Sequence, residues 1–510
     1  MELLHFCSFV AIATLLLLLL LFVALEGGFA VGAEQLSQFG ITWTFDANYV
    51  TGQFANGDFW AVGPVTITAI DPPSREVDGR VSHGTMINPL PSETQGFDSH
   101  AYAKYRKASS YDASRNVAYN VEPNAPLRVP AGRSLLSSIS MDDPDSRPSL
   151  RAAAVLTVLA TVPPAGSFRP AYCGTDKTVR WNVAQLNYQV LKRLAAVPGT
   201  PTWATVERWF ERPWPDGYIG WTGRYLHPAE NMPDYGYYIA ARIADGALML
   251  CLDVPEEQKE TLAIRMVQLG IDLRGIAAAG GYWPDEGGHG SGRKLAILLA
   301  GLLLGDDHFA DAGKMTTFAA DAQTWYVGPA DVGRVMYRGD GKQRQTYEPN
   351  DVGMPEWGEM HTRNSARDDR RWEASYRETV GRPMASQVLA ARLLGLREQW
   401  GHEALFAYAD RWVANEQARN WPIAVGTFAK QMWLAYRHTP AVGDCWDYAR
   451  QAEGDYNGDG VITSADAVGL NAAWVAQYRG EYDRCADFNH DGIISPADAR
   501  ILMAHWGKGE

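Results

Sequence analysis

The sequence predicts a multidomain protein with a mainly α-helical α/α-toroid centre, an N-terminal β-sandwich-like domain and a small helical calcium-loop domain at the C-terminus. Three observations support this prediction. The chain of 510 residues is too long to fold around one ordinary hydrophobic core. The hydrophobic period changes from strand-like to helix-like near residue 170. Two matched acidic loops of calcium-binding type lie near the C-terminus. We therefore place the three domains at 34–165, 170–440 and 445–510.

Residues 1–33 are predicted to form a signal peptide. An apolar run over 6–25 is followed by small residues that fit cleavage after Ala33. The run is about 20 residues long, enough to span a bilayer, and no Lys or Arg precedes it. An uncleaved membrane anchor is therefore the alternative. In both cases the rest of the chain is expected outside the cytoplasm, secreted or at the cell surface.

Four cysteines remain once the signal is removed, and an even number suits an oxidising compartment. Cys445 and Cys485 bracket the first acidic loop and form one natural pair. Cys173 and Cys251 form the other. Three pairings exist in total, and free thiols also stay open.

The charge of the chain is −13, which argues against a nucleic-acid binder. Residues 445–510 carry 11 acidic and 5 basic side chains, a net charge of −6. Nearly half of the acidic excess therefore lies in a tail that is expected to hold cations. The 18 Trp and 23 Tyr fit either large cores or platforms that stack on sugar rings.

The region 34–165 shows short runs of β-branched and aromatic residues separated by proline-containing turns. These runs predict strands within 41–45, 59–70, 127–140 and 152–162. Such a pattern is typical of a β-sandwich-like domain.

The region 170–440 shows apolar residues at helical spacing. The predicted helices cover 181–195, 205–210, 235–252, 256–276, 293–304, 384–399 and 404–415. Several are apolar on more than one face and are expected to be buried by other helices. Long aromatic loops between them favour an α/α toroid with a cleft on one face, and an irregular helical bundle is the alternative. The weakly periodic stretch 309–371 is expected to be ordered and functional.

The C-terminal loops begin at Asp455 and Asp487, 32 residues apart. Each has oxygen-bearing side chains at positions one, three, five, nine and twelve, a Gly at six and a backbone carbonyl at seven. Calcium is a hard ion that takes six to eight such oxygens. The predicted ligands are Asp455, Asn457, Asp459, Val461, Thr463, Asp466, Asp487, Asn489, Asp491, Ile493, Ser495 and Asp498. We expect two Ca²⁺ ions here and no cofactor for chemistry.

This pair of loops resembles the type I dockerin family over about 445–507. Each loop is followed by one apolar helix, at 467–475 and 499–506. The resemblance implies docking to a cohesin-like partner. Family members carry a Ser/Thr pair at positions ten and eleven, where this chain has Ser464-Ala465 and Pro496-Ala497. A self-contained calcium-stabilised tail is the alternative.

Polar residues in the helical region cluster in three loops, around 221–235, 281–294 and 356–377. Their residue types suit β-elimination on a uronic-acid polymer, which needs a carboxylate neutraliser, a base and an acid. Tyr376 and His289 are the expected base and acid, with Tyr282 in reserve. The candidate neutralisers are Asn231, Arg293, Arg370 and a protonated Glu286. Candidate binders of the acidic polysaccharide are Trp221, Arg224, His227, Trp283, Glu359, His361 and Arg363.

This set is similar to that of the α/α-toroid polysaccharide lyases, including alginate and glucuronan lyases, over about 173–438. Their sites combine Asn or Glu with His, Arg and Tyr, and Arg370 and Tyr376 follow the Arg-then-Tyr order. The resemblance implies a secreted enzyme that cleaves uronic-acid polysaccharide.

Two other functions fit the same sequence. A glycoside hydrolase needs two carboxylates across the scissile bond, and Asp285 or Glu286 with Glu359 would supply them. A non-catalytic carbohydrate-binding or cell-surface scaffold protein is the second alternative. The ultraviolet-absorbing product of a lyase separates these three classes.

Overall fold

The structure is a computed structural model of the 510-residue chain. It describes residues 31–102, 109–219, 225–231, 236–283, 290–333, 336–337, 343–344, 347–357, 375–418, 426–437, 439, 453–456, 461–477, 483–489 and 493–508. The described residues fall into two compact units. The sheet unit comprises those of Met1–Leu186, Trp209–Tyr235 and Val267–Tyr282, and the helix unit comprises those of Asn187–Arg208, Gly236–Met266 and Trp283–Glu510.

The sheet unit contains ten strands: β1 (Val31–Gln38), β2 (Ile41–Gln53), β3 (Phe59–Val62), β4 (Val65–Asp71), β5 (Glu76–Val77), β6 (Arg80–Val81), β7 (Thr85–Ile87), β8 (Leu127–Val129), β9 (Arg133–Ser140) and β10 (Leu150–Leu159). Eight of them form one sheet in the order β7-β9-β10-β3-β2-β4-β8, with β1 also paired to β2. The β10–β3 pair is parallel and the other pairs in this sheet are antiparallel. The strand-rich region is confirmed, but one curled sheet takes the place of the two packed sheets of a sandwich.

Strand β2 alternates as the sequence predicts, because Ile41, Trp43 and Phe45 are buried on one face. Strand β9 does not alternate in this way, and several of its serine side chains are buried. The Ser137 hydroxyl accepts a hydrogen bond from the Trp43 indole at 3.1 Å and from the Thr85 hydroxyl at 2.8 Å. These bonds satisfy polar groups that would otherwise be costly to bury.

Two of the predicted strand runs are each split in the structure. The run 59–70 divides at Gly63-Pro64 into β3 and β4, because proline has no N–H to donate to a sheet ladder. The run 127–140 divides into β8 and β9 at a turn where Gly132 has a φ of 79°.

The chain after the sheet is largely helical. The larger helices are α1 (Trp203–Trp209), α2 (Gly236–Leu250), α3 (Glu256–Ala278), α4 (Arg293–Leu304), α7 (Ser375–Leu393), α9 (Glu403–Ala418) and α10 (Thr427–Tyr436). Short helices α5 (Ala312–Met315), α6 (Ala319–Ala322) and α8 (Arg397–Trp400) lie between them, with short strands β11 (Thr324–Tyr326), β12 (Met336–Tyr337), β13 (Gln343–Arg344) and β14 (Pro355–Trp357). The arrangement of these helices as a toroid stays a prediction.

The predicted helix over 181–195 is wrong. The structure has two single 3₁₀ turns, Val183–Gln185 and Tyr188–Val190. The side chains of Asn182 and Asn187 each accept a backbone N–H at the start of one turn. Local bonds of this kind compete with a continuous helix.

Helix α4 has the predicted bounds, and eleven of its twelve residues are buried. Helix α2 packs against α4 and α7, and α7 packs against α9. Gly381 allows the last contact, because a Cβ on it would lie 2.2 Å from the Trp412 indole nitrogen. No helix in the part of the chain described here is long and apolar enough to cross a membrane. The apolar run 6–25 lies outside that part.

Candidate functional site

The C-terminal tail is built on two helices, α11 (Ser464–Gln477) and α12 (Pro496–Ala504), each directly preceded by an acidic loop. Asp466 is fully buried at position twelve of the first loop, and its Oδ2 accepts the Thr463 N–H at 2.8 Å. Asp498 is equally buried in the second loop and accepts the Ser495 N–H at 2.8 Å and the Asn489 N–H at 3.2 Å. These bonds fix the carboxylates at the start of each helix.

The two loops share one apolar core, formed by Ile462, Leu470, Ala473, Ala486, Phe488, Ile494 and Leu502. The residue at position eight of each loop is hydrogen-bonded to a residue at or just after the end of the helix that follows the other loop. The Ile462 carbonyl accepts the Gly507 N–H at 2.8 Å, and Ile494 makes two hydrogen bonds with the Gln477 amide. The two loops are therefore packed and hydrogen-bonded into one structural unit.

The donor set of both loops fits calcium. The carboxylates at positions one and twelve, Asp455, Asp466, Asp487 and Asp498, are at most 5% exposed. Buried carboxylates are costly unless they are paired, hydrogen-bonded or metal-bound, and carboxylate and carbonyl oxygens are what Ca²⁺ prefers. Val461 and Ile493 stand at position seven with backbone carbonyls. The predicted ligands Asn457, Asp459 and Asp491 lie outside the described residues.

Helix α11 has an exposed apolar face, and we define the α11 face as Ala465, Val468, Ala472 and Val475. Val468 is 70% exposed and Val475 is 51% exposed. The matching positions on α12 include Arg500 in place of the first valine. The two repeats therefore present faces of different chemistry.

The cysteines separate into two kinds. Cys485 is disulfide-bonded, and Cys445 lies outside the described residues. Cys173 and Cys251 are buried free thiols, so of the options left open by the sequence the structure has free thiols here and not a bond between these two cysteines. Burial raises the pKa of each of these two thiols to about 12, which keeps them protonated and unreactive.

Several predicted residues of the polar loops lie in the sheet unit. His227 and Asn231 are buried, and Tyr282 is 43% exposed. The Asn231 amide nitrogen donates to the Trp209 carbonyl at 3.0 Å. Its side-chain oxygen is buried without a hydrogen-bond partner among the described residues.

Other predicted residues lie in the helix unit. Arg293 begins α4, is buried, and donates to the Ser291 carbonyl at 2.9 Å. Trp283 is buried and stacks on Phe318 with ring centroids 5.3 Å apart. Tyr376 is the second residue of α7. Because α2 packs against both α4 and α7, one helix joins the two elements that carry Arg293 and Tyr376.

The remaining predicted residues of the three loops lie outside the described part of the chain. They are Trp221, Arg224, Glu286, His289, Glu359, His361, Arg363 and Arg370, and with them Asp285 of the hydrolase alternative. Their roles, and those of the described members, stay predictions.

Sequence reasoning missed a polar stripe on the apolar helix α2, at Tyr238, Arg242 and Asp245. Burial raises the pKa of Asp245 to about 7, and the charge of Arg242 opposes this shift. A carboxyl group that titrates near neutrality suits proton transfer. The sequence did contain a signal for this stripe, because these three polar residues recur at the spacing i, i+4, i+7 in an otherwise apolar helix and therefore lie on one face.

The family model of the dockerin type I domain matches residues 453–505. No curated protein and no solved structure matches the chain. Dockerin domains bind calcium in their loops, bind cohesins, and occur in extracellular, cellulosome-type components, often carbohydrate-active enzymes. The matched residues contain both acidic loops, the α11 face and the shared apolar core. The C-terminal region of this chain is a dockerin type I domain.

Proposed function

We propose that this protein is a polysaccharide-degrading component of a cellulosome-type assembly, held there by a cohesin that docks on its C-terminal domain. The dockerin match carries this proposal. The loops would hold two calcium ions, one in each, because both have the same donor positions. The N-terminal signal segment would export the chain.

The α11 face is the surface proposed to meet the cohesin. The Ser/Thr pair typical of the family is only half present in the first repeat, as Ser464-Ala465, and is absent from the second. Apolar contact would therefore replace much of the hydrogen bonding. Fully burying a valine side chain contributes about 1.5–3 kcal/mol, so Val468 and Val475 provide a substantial apolar anchor.

The choice between the two helix faces is tested with matched substitutions. Val468→Glu changes the α11 face, and Arg500→Glu changes the equivalent position on α12. We expect Val468→Glu to weaken cohesin binding by about tenfold or more, and Arg500→Glu to change it by less than about threefold. The opposite ranking in a binding titration would place the docking surface on α12.

We further propose that the central region cleaves a uronic-acid polysaccharide by β-elimination. In this reaction a base removes the proton from C5, a C4–C5 double bond forms, the C4–O bond breaks and an acid protonates the leaving oxygen. The uronate carboxylate must be neutralised so that negative charge at C5 is stabilised. The proposed base is Tyr376, the proposed acid is His289, and Tyr282 is the reserve.

The neutralising role is proposed for Asn231, Arg293, Arg370 or Glu286. Support comes from the placement of Arg293 and Tyr376 on two helices that pack on α2. Asp245 adds a carboxyl group able to exchange a proton near neutral pH.

A panel of uronic and neutral polysaccharides, assayed for ultraviolet absorbance and for reducing ends, tests the chemistry. A lyase gives both signals on a uronic polymer, whereas a hydrolase gives reducing ends alone and a binding protein gives neither. We expect Tyr376→Phe and His289→Ala each to lower the rate by about 100-fold or more. Tyr326→Phe, at a 43% exposed tyrosine on β11, is the control. Full activity in both site variants would remove these residues from the mechanism.

A further inference from the structure

Strand β1 begins at Val31, three residues before the N-terminus that signal removal after Ala33 would leave. Residues 31–33 form one part of its antiparallel ladder with β2. The Cα pairs of this part are Val31 with Thr51, Gly32 with Val50 and Ala33 with Tyr49. Cleavage after Ala33 would therefore remove one member of all three pairs.

The stretch of β2 opposite residues 31–33 depends on β1 for its sheet pairing. Strand β3 pairs with β2 over residues 51–53, and β4 pairs with β2 over residues 42–45. Within the described part of the sheet, Tyr49 and Val50 are therefore paired through β1 alone. A chain that began at Glu34 would leave an open strand edge at these two residues, and such edges are templates for pairing with other chains.

Ala33 also takes part in the packing of the sheet unit. Ala33 and Tyr49 are both partly buried and both pack against the apolar core of the sheet. Residues directly opposite each other in an antiparallel pair place their side chains side by side on one face. The Tyr49 ring packs edge-on against Phe45 with centroids 5.4 Å apart, and its hydroxyl accepts the Thr66 N–H of β4 at 3.2 Å. Ala33 therefore lies beside a side chain that links β2 to β4.

The sequence offers two bonds at which an export signal could be removed. The required pattern is a small residue, any residue and a second small residue directly before the cleaved bond. Val31-Gly32-Ala33 fits this pattern, and Gly28-Phe29-Ala30 fits it with a smaller first residue. Residues 28–30 precede the described part of the chain. The sequence pattern accepts both bonds, whereas the β1–β2 ladder stays complete only if the earlier bond is cleaved.

We propose that the export signal is removed between Ala30 and Val31, so that the mature protein begins with the first residue of β1. This inference rests on the export step of the proposed function. A signal peptidase adds water across the amide bond between these two residues. The C–N bond breaks, Ala30 leaves with a new carboxylate, and the nitrogen of Val31 becomes the α-amino group of the mature chain.

Intact-mass measurement and N-terminal sequencing test the position of the cleaved bond. The full-length precursor is expressed in a secreting host, and the protein is collected from outside the cells. We expect one chain that begins at Val31. A secreted chain that begins at Glu34 or at any other residue would overturn the proposal and leave the export step intact. A chain that keeps residues 1–30 would overturn the proposal together with a removable signal.

Matched substitutions in the precursor place the same large side chain before each candidate bond. We expect Ala30→Leu to lower the yield of mature chain by about tenfold or more and Ala33→Leu to change it by less than about threefold, because the residue before the cleaved bond must be small. The yield is measured as the ratio of mature chain to precursor after a short labelling pulse. The opposite ranking would assign cleavage to the bond after Ala33 and overturn the proposal.

Two mature chains, one beginning at Val31 and the other at Glu34, test the structural reason for the choice. We expect the shorter chain to unfold at a lower urea concentration, with faster amide hydrogen exchange at Tyr49 and Val50. Strand β7, at the far edge of the same sheet, is expected to exchange equally in both chains. Equal unfolding midpoints and equal exchange at Tyr49 and Val50 would show that the sheet does not need residues 31–33, which would contradict the basis of the proposal.

Discussion

Arg169 donates two parallel hydrogen bonds to Asp272 in the interior of the sheet unit, at 2.9 Å from Nη1 to Oδ1 and 2.6 Å from Nη2 to Oδ2. Its Nε donates to Asp58 at 2.6 Å. Burial by itself lowers the pKa of Arg169, but the two carboxylates raise it above its ordinary value. This triad joins two loops and helix α3, and Arg169 is more than 100 residues from each of its two partners in the sequence.

Removing the arginine leaves two buried carboxylates without their cation. We expect Arg169→Met to lower the free energy of unfolding by about 3–5 kcal/mol, as measured by urea denaturation. Arg151→Met is the control, because Arg151 pairs with an Asp142 side chain that is 92% exposed, and its loss is expected to cost less than about 1 kcal/mol. Similar losses in the two variants would show that the triad stabilises the fold no more than a surface pair.

Asp245 predicts a pH dependence of stability. Burial raises its pKa in the folded protein to about 7, well above that of an exposed aspartate. Between these two pKa values the folded state binds more protons than the unfolded state, so the contribution of Asp245 to stability falls as the pH rises through this window.

Asp245→Asn removes this titration. We expect the variant to be more stable than wild type at pH 8 by roughly 1–4 kcal/mol, with a smaller difference at pH 5. Urea denaturation at both pH values measures the change, and Glu257→Gln, at an exposed carboxylate of α3, is the control. If the stability difference between Asp245→Asn and wild type did not increase from pH 5 to pH 8, the result would contradict the pKa assigned to Asp245.

The dockerin loops predict a local response to calcium removal. Chelation is expected to increase amide hydrogen exchange within 453–508 and to leave α4 and α9 protected, because the predicted calcium ligands lie within the tail. Asp466→Ala and Asp498→Ala are expected to have the same local effect even with calcium present, since each removes a buried carboxylate that is a predicted calcium ligand and a hydrogen-bond acceptor at the start of a helix. Asn471→Ala, at an exposed residue of α11, is the control. If amide hydrogen exchange in the tail were unchanged by chelation and by both aspartate substitutions, the result would contradict a role for calcium in holding the tail together.

Local patterns in the sequence predicted local structure well. The bounds of α4 follow from an apolar run between two glycines, Gly292 and Gly305, that adopt left-handed backbone conformations at its ends. The calcium loops were recognisable because their ligands lie within twelve consecutive residues. The helix over 181–195 was mispredicted because the effect of Asn182 and Asn187 on the backbone outweighed the apolar spacing.

Long-range relationships could not be predicted in the same way. Strand alternation identifies a buried face but not the neighbouring strand, so the single sheet with its parallel β10–β3 pair was read as a sandwich. The Arg169 triad depends on a contact between α3 and a segment about 100 residues earlier. No spacing rule in the sequence connects such residues.

Titration of the full-length chain against an immobilised type I cohesin, with calcium and with a chelator, tests the central claim most directly. We predict saturable one-to-one binding in calcium, its loss on chelation and its return when calcium is restored. Binding that persists in the chelator would contradict calcium-dependent docking. Absence of binding to every cohesin of a broad panel, with the tail shown to be folded by its hydrogen exchange, would contradict the docking function itself.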